Sequence, residues 1–154
     1  MAEAYFYHLT RSPLEDTLPM LLEKSRAAGW RVAVRGTAPD RLRHLDERLW
    51  RHPEDGFLPH GLAGDGFEAD QPVLLTTAAD VPNGAEMLIS IDGAEITPEE
   101  AGGFTRVCVV FDGNDESAVV QARTQWTRLT GAGLPARYWS QESGRWAEKA
   151  SKNC

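Results

Sequence analysis

Cysteine is scarce in this sequence: the two residues of this type are Cys108 and Cys154, which stand far apart. Two lone thiols do not make the framework of a disulfide-rich secreted domain, so the sequence predicts a reduced protein. The four histidines lie apart from both cysteines, and neither a C-x-x-C nor an H-E-x-x-H spacing occurs. We therefore predict no metal site.

Long hydrophobic runs are also missing. No stretch approaches the roughly 20 apolar residues that a membrane span needs. The opening residues, MAEAYFYHLTRS, lack the basic start and the apolar stretch of a signal peptide. We expect a cytoplasmic protein without membrane contact.

Positive charge is in deficit, because 16 Lys and Arg stand against 23 Asp and Glu, a net charge of −7. This balance argues against a general nucleic-acid clamp. The charge is uneven, however: residues 117–154 hold six basic and two acidic side chains, whereas residues 1–116 hold ten and twenty-one. The basic end indicates either a local site for a negatively charged partner or a solvated helix face.

The common catalytic motifs are absent. There is no G-x-x-x-x-G-K-[ST] and no G-x-S-x-G, and the first strand runs into HLTRSP without phosphate-binding glycines. His60 is the best-placed acid or base. An alternative function is therefore a metal-dependent α/β hydrolase or nuclease that uses the 57–70 loop, His60 acting with Asp65 or Asp70. The plainer interpretation is that His60 hydrogen-bonds the backbone of its own loop.

The 154 residues, 42% of them apolar, fit one domain spanning 1–154. Strand patterns alternate with helix patterns, which predicts an α/β domain of three layers with a mainly parallel sheet and helices on both faces. Pro19 suggests that the first turn of its helix is a separate piece. Residues 53–72 show neither period and are predicted to be a loop. Strands are predicted at 4–9, 30–36, 72–77, 86–92, 106–112 and 134–140, and the strand at 134–140 is predicted to be the final one. Helices are predicted at 14–29, at 40–51 and within 112–133. The last of these helices is expected to be capped near Asn114 or Asp115.

Four segments in order along the chain resemble one family. They are YFYHL near the start, LDERLWRHPEDGFLPHGLAGDG at 45–66 with PVLLTT after it, MLISIDG at 87–93, and ARTQWTRLTGAG at 122–133. The sequence is similar to the chi subunit family of bacterial DNA polymerase III holoenzyme. The resemblance implies a Rossmann-like fold with no nucleotide chemistry, no cofactor and no reaction of its own.

The resemblance also implies two partners. Chi proteins bind the acidic, Phe-terminated C-terminal tail of the single-stranded DNA-binding protein, and on another surface they bind the psi subunit, which joins them to the clamp loader. This chain would accordingly be a monomeric, non-catalytic replication subunit that meets nucleic acid only indirectly. A direct contact of single-stranded DNA with the basic end and its tryptophans is a further alternative, against which the net charge argues.

The family's tail-binding residues can be matched on the fourth helix. Arg123 matches an arginine and Trp126 an aromatic residue, whereas Thr127 and Val119 stand where lysines are typical, which implies a lower affinity. Arg128 replaces part of that charge, although it points about 100° away from Thr127 around the helix. Arg123 and Trp126 are three residues apart and should share a face, where a guanidinium would hold a carboxylate. The plain alternative is that Trp126 belongs to the core and Arg123 is a solvated rim residue.

A second surface is less defined. Trp50, Phe57 and Leu58 belong to the idiosyncratic block at 45–66. They are either core residues, as aromatics beside a long loop commonly are, or a surface for psi. The residues themselves leave both interpretations open.

Overall fold

A computed structural model describes residues 2–10, 14–51, 60–62, 71–77, 83–140 and 146–153, with no side-chain description for residues 50 and 51. It contains eight strands and four helices in these ranges. The strands are β1 Glu3–Leu9, β2 Val32–Arg35, β3 Gly61–Leu62, β4 Val73–Thr76, β5 Met87–Ser90, β6 Arg106–Asp112, β7 Ala136–Ser140 and β8 Ala147–Lys152. The helices are α1 Leu14–Ala27, α2 Pro39–Arg51, α3 Pro98–Ala101 and α4 Glu116–Gly131.

All eight strands form one sheet in the order β3-β4-β2-β5-β6-β1-β7-β8. Every neighbouring pair is parallel except β7 with β8, which is antiparallel. Strand β1 lies between β6 and β7, so that Ala4 is opposite Val107 on one side and Ala136 on the other. The predicted α/β class with a mainly parallel, Rossmann-like sheet is confirmed.

Two apolar cores lie on opposite faces of this sheet, as alternation along the strands requires. On one face, α1 and α2 pack over the sheet, and the leucine stripe predicted for α2, Leu42, Leu45 and Leu49, is buried there. On the other face, Ala122 and Leu129 of α4 pack with Phe6 of β1. The three-layer arrangement positions α4 above β6, β1 and β7.

Helix α1 runs unbroken through Pro19, so the prediction of a separate first turn is wrong. Proline removes only one backbone donor, and Pro19 itself is buried beside Leu18 and Leu22, whose packing holds the helix. The helix ends at Ala27, and the turn that follows contains Gly29, whose φ of +82° suits glycine. Here the Trp30 amide donates to the Ser25 carbonyl over 3.0 Å.

Three elements were not predicted. Strand β8 follows the strand predicted to be final, and its AEKASK sequence is almost wholly exposed, so no apolar alternation marks it. Strand β3, only Gly61–Leu62, lies inside the predicted loop and pairs with β4. Helix α3 is a single turn held by a capping box, in which the backbone N–H of Glu100 donates to the Thr97 hydroxyl and the backbone N–H of Thr97 donates to the Glu100 carboxylate. Within the described ranges, no helix combines the length and apolarity of a membrane span.

Cys108 is fully buried in β6, and burial raises the pKa of its thiol to about 12. Because the thiolate is the reactive form, we expect Cys108 of a Cys154→Ser chain to resist a thiol reagent at pH 8 while folded. The same chain in denaturant should react rapidly. Release of the reagent's chromophore measures both rates, and fast labelling in native buffer would contradict this burial.

Candidate binding site

Helix α4 carries the predicted tail-binding residues. Its N-cap is Asp115, whose carboxylate accepts hydrogen bonds from the backbone N–H groups of Ser117 at 2.9 Å and Ala118 at 3.4 Å. Of the two predicted caps, Asp115 is therefore the one used. The cap fixes where the helix starts, and with it which residues face the sheet.

The inner face of α4 is buried through Ala122, Gln125 and Leu129. With the Gln125 amide oriented so that both its groups are satisfied, it donates to the Ile96 carbonyl at 3.0 Å and accepts from the Ile96 N–H at 2.8 Å. Because Ile96 is itself fully buried, this double hydrogen bond joins α4 to the chain segment between β5 and α3.

The outer face of α4 forms a shallow, open groove of about 520 Å³. Val120 is 59% exposed within it, which leaves an apolar surface available for contact. The residues that line the groove are Val120, Arg123, Thr124, Thr127 and Arg128.

The two arginines of this groove differ in their partners. Arg128 forms an ion pair with Glu95, which precedes α3. Arg123 is exposed, and none of the residues that the structure describes forms a hydrogen bond or ion pair with its guanidinium. Arg123 is thus available to an external carboxylate.

Trp126 lies at the border between groove and core. Its ring is half-buried, 5.2 Å from the ring of Phe6 and 6.2 Å from that of Tyr138, measured between centroids. At about 100° per residue, Trp126 is about 60° from Arg123 and about 40° from buried Ala122 around the helix. The indole therefore lies between the buried face and the outer face of α4, so that Arg123 and Trp126, which were predicted to share a face, are neighbours only at the edge of the groove.

Thr127 and Arg128 are separated by about 100° around α4. Both nevertheless line the groove. Val120, Thr124 and Glu95 were not predicted from the sequence. The first two could have been found, since an outward stripe of α4 recurs at intervals of three and four residues. Glu95 carries no such signal, because it reaches Arg128 from a distant part of the chain.

Of the other predicted residues, Trp50 lies in α2, with its side chain outside the description, while Phe57 and Leu58 lie outside the described residues altogether. His60 is buried, and its Nε2 lies 3.1 Å from the backbone oxygen and 3.2 Å from the Oδ1 of Asp46 in α2. This histidine therefore hydrogen-bonds to a residue of α2, whereas the plainer interpretation of the sequence predicted a bond to the backbone of its own loop.

The residues named with His60 in the enzymatic alternative, Asp65 and Asp70, also lie outside the described part. Among the residues that are described, no group of three or more metal-ligating side chains comes together.

A cleft of about 640 Å³ opens where β1 and β6 end, the edge at which α/β sheets commonly bind ligands. Its lining includes the carboxylates of Glu15, Asp92, Asp112 and Asp115. Arg41 also lines it, but Arg41 pairs with Glu15 and, at 3.2 Å, with Asp92. An acidic cleft of this kind disfavours a phosphate group.

Comparison with known proteins gives a consistent result. The family described as "DNA polymerase III chi subunit, HolC" matches residues 1–137. A Rickettsia prowazekii protein, "Probable DNA polymerase III subunit chi", is 25% identical over 117 residues, 73% of this chain and 71% of its own. The DNA polymerase III subunit chi of Haemophilus influenzae is 24% identical over 130 residues, 82% and 88% of the two chains. That of Escherichia coli is 31% identical over 80 residues, 47% and 54%. Because the family model matches residues 1–137 of the 154, this chain belongs to the DNA polymerase III chi subunits, accessory proteins of DNA replication.

Proposed function

We propose that this chain is a non-catalytic, cytoplasmic subunit that links the clamp-loader assembly to single-stranded DNA-binding protein. It binds the acidic C-terminal tail of that protein in the groove of α4, and so reaches DNA only through its partner. The observation that carries the proposal is the exposed Arg123, without a described partner, beside the exposed Val120.

The groove offers the chemical groups that such a tail needs. The planar guanidinium of Arg123 can hold the terminal carboxylate with two hydrogen bonds. Val120 and the accessible part of Trp126 offer apolar surface to the terminal phenylalanine ring. The excess of four positive charges in residues 117–154 attracts the acidic residues that precede it.

A weak contact suffices for this function. Many tails project from one coated strand, so a chain that leaves one tail finds another at a high local concentration. The proposal also includes a second partner, the psi subunit, at Trp50, Phe57 and Leu58. That surface would connect the chain to the clamp loader while the groove of α4 engages the coated DNA.

A labelled acidic peptide that ends in phenylalanine tests the proposal in a fluorescence-anisotropy titration. We expect binding to be lost when the phenylalanine is removed, because the apolar contact and the position of the terminal carboxylate change together. Affinity should also fall steeply as salt rises, since exposed charge pairs are screened. A peptide that binds equally well without its phenylalanine would overturn the proposed mode of recognition.

A further inference from the structure

A carboxylate of the protein itself already sits at the groove. Glu95 forms an ion pair with Arg128, and the two side chains are 61% and 43% exposed. In this arrangement Glu95 presents to Arg128 the same chemical group that an acidic tail would present.

The backbone around Glu95 is held in place. Its neighbour Ile96 is buried and is bound through the Gln125 amide to α4. On the other side, the Arg35 guanidinium donates to the Glu95 carbonyl at 3.3 Å and pairs with Glu100 at 2.7 Å. The Glu95 backbone is therefore held beside α4 by buried contacts, and from this position its exposed carboxylate reaches Arg128.

We infer that Glu95 is a built-in competitor of the acidic tail: it occupies Arg128 in the free protein, and a tail gains this arginine only by replacing Glu95. The inference rests on the proposed function. Arg123 makes the first contact because it has no described partner, and Arg128 is exchanged afterwards. Both partners of the exchanged pair are exposed, so Glu95 weakens tail binding moderately instead of preventing it.

Competition also has a consequence for selectivity. A tail with a single carboxylate is satisfied by Arg123 and gains nothing by displacing Glu95. A tail with aspartates before its terminus can offer a second carboxylate to Arg128. Because only the second kind of tail has to displace Glu95, this residue reduces the preference of the groove for ligands with several acidic groups.

The test replaces the carboxylate with its amide. The Glu95→Gln chain should bind the acidic peptide about two- to fivefold more tightly than the unchanged chain, with a steeper loss of affinity as salt rises. The matched control is Glu99→Gln, which removes the same charge nearby from an exposed side chain. For this control we expect a change below about 1.5-fold.

A double-mutant cycle with Arg128→Ala separates competition from simple repulsion. If Glu95 acts through Arg128, Glu95→Gln should give no gain when Arg128 is already alanine. A gain that persists in that background, or an equal gain in Glu99→Gln, would overturn the inference. If the unchanged chain binds the peptide through Arg123 and Glu95→Gln has no effect, the inference alone fails. If the unchanged chain does not bind the peptide, the proposed function fails and the inference with it.

Discussion

The Arg123→Ala chain is expected to bind the acidic, Phe-terminated peptide roughly 10- to 100-fold more weakly than the unchanged chain. Hydrogen bonds to charged groups contribute about 1.5–3 kcal/mol, and about 1.4 kcal/mol corresponds to a tenfold change in affinity. Arg123 loses no described ion pair when it is replaced, so the folded chain should be unaffected. Anisotropy titrations at low salt measure the change, and circular dichroism confirms the fold.

Two further variants make this result specific. Arg43→Ala removes the same side chain from α2, where Arg43 is 64% exposed and, among the described residues, pairs with Asp40 one turn away at 3.0 Å. Its affinity should stay close to that of the unchanged chain. Arg123→Lys keeps the charge without the planar fork and should fall between the two. Equal weakening by Arg123→Ala and Arg43→Ala would mean that only net charge matters, and the groove would lose its assignment.

The Phe6→Ala chain is expected to lose about 3–5 kcal/mol of its free energy of unfolding, as other buried phenylalanines do on truncation. Phe6 is fully buried in β1, the middle one of the three strands over which α4 packs. Its ring packs edge to face against that of Trp126. The change leaves a cavity under the indole and removes an aromatic pair. Urea unfolding followed by circular dichroism measures the loss.

Val120→Ala is the control for the stability measurement. It also removes apolar atoms from the α4 region, but from a side chain that is 59% exposed. Its free energy of unfolding should stay within about 0.5 kcal/mol of the unchanged chain. A comparable loss in both variants would contradict the assignment of Phe6 to the core and Val120 to the surface.

Apolar periodicity predicted the central elements of the fold because it reports burial. The leucine stripe of α2 and the continuous apolar run of β6 are buried as their patterns indicate. Strand β8 was not predicted because it is an exposed edge strand. Its backbone hydrogen bonds to β7 hold it in the sheet, so its sequence needs no apolar alternation. A sequence with charged, exposed residues such as Lys149 cannot be distinguished by its pattern from that of a loop.

The site was only partly predictable for a related reason. Spacing along α4 places Trp126 between Arg123 and buried Ala122, and it does not decide whether the indole faces solvent or core. The decision comes from Phe6 and Tyr138, which the parallel pairing of β1 with β7 brings under the helix. The contact of Glu95 with Arg128 likewise depends on tertiary structure and leaves no trace in local sequence.

The position of β1 in the sheet has a consequence for how the protein is made. Glu3 lies opposite Arg106, and Ala4 lies opposite Ala136. Both strands that pair with β1 are therefore synthesised about a hundred or more residues after it. At roughly 5–20 residues per second, a ribosome needs at least about 5 s to supply the first of them. Until then the nascent chain carries an aromatic-rich strand with two open edges, and the pairing of β1 with β6 and β7 is among the last parts of the sheet to form.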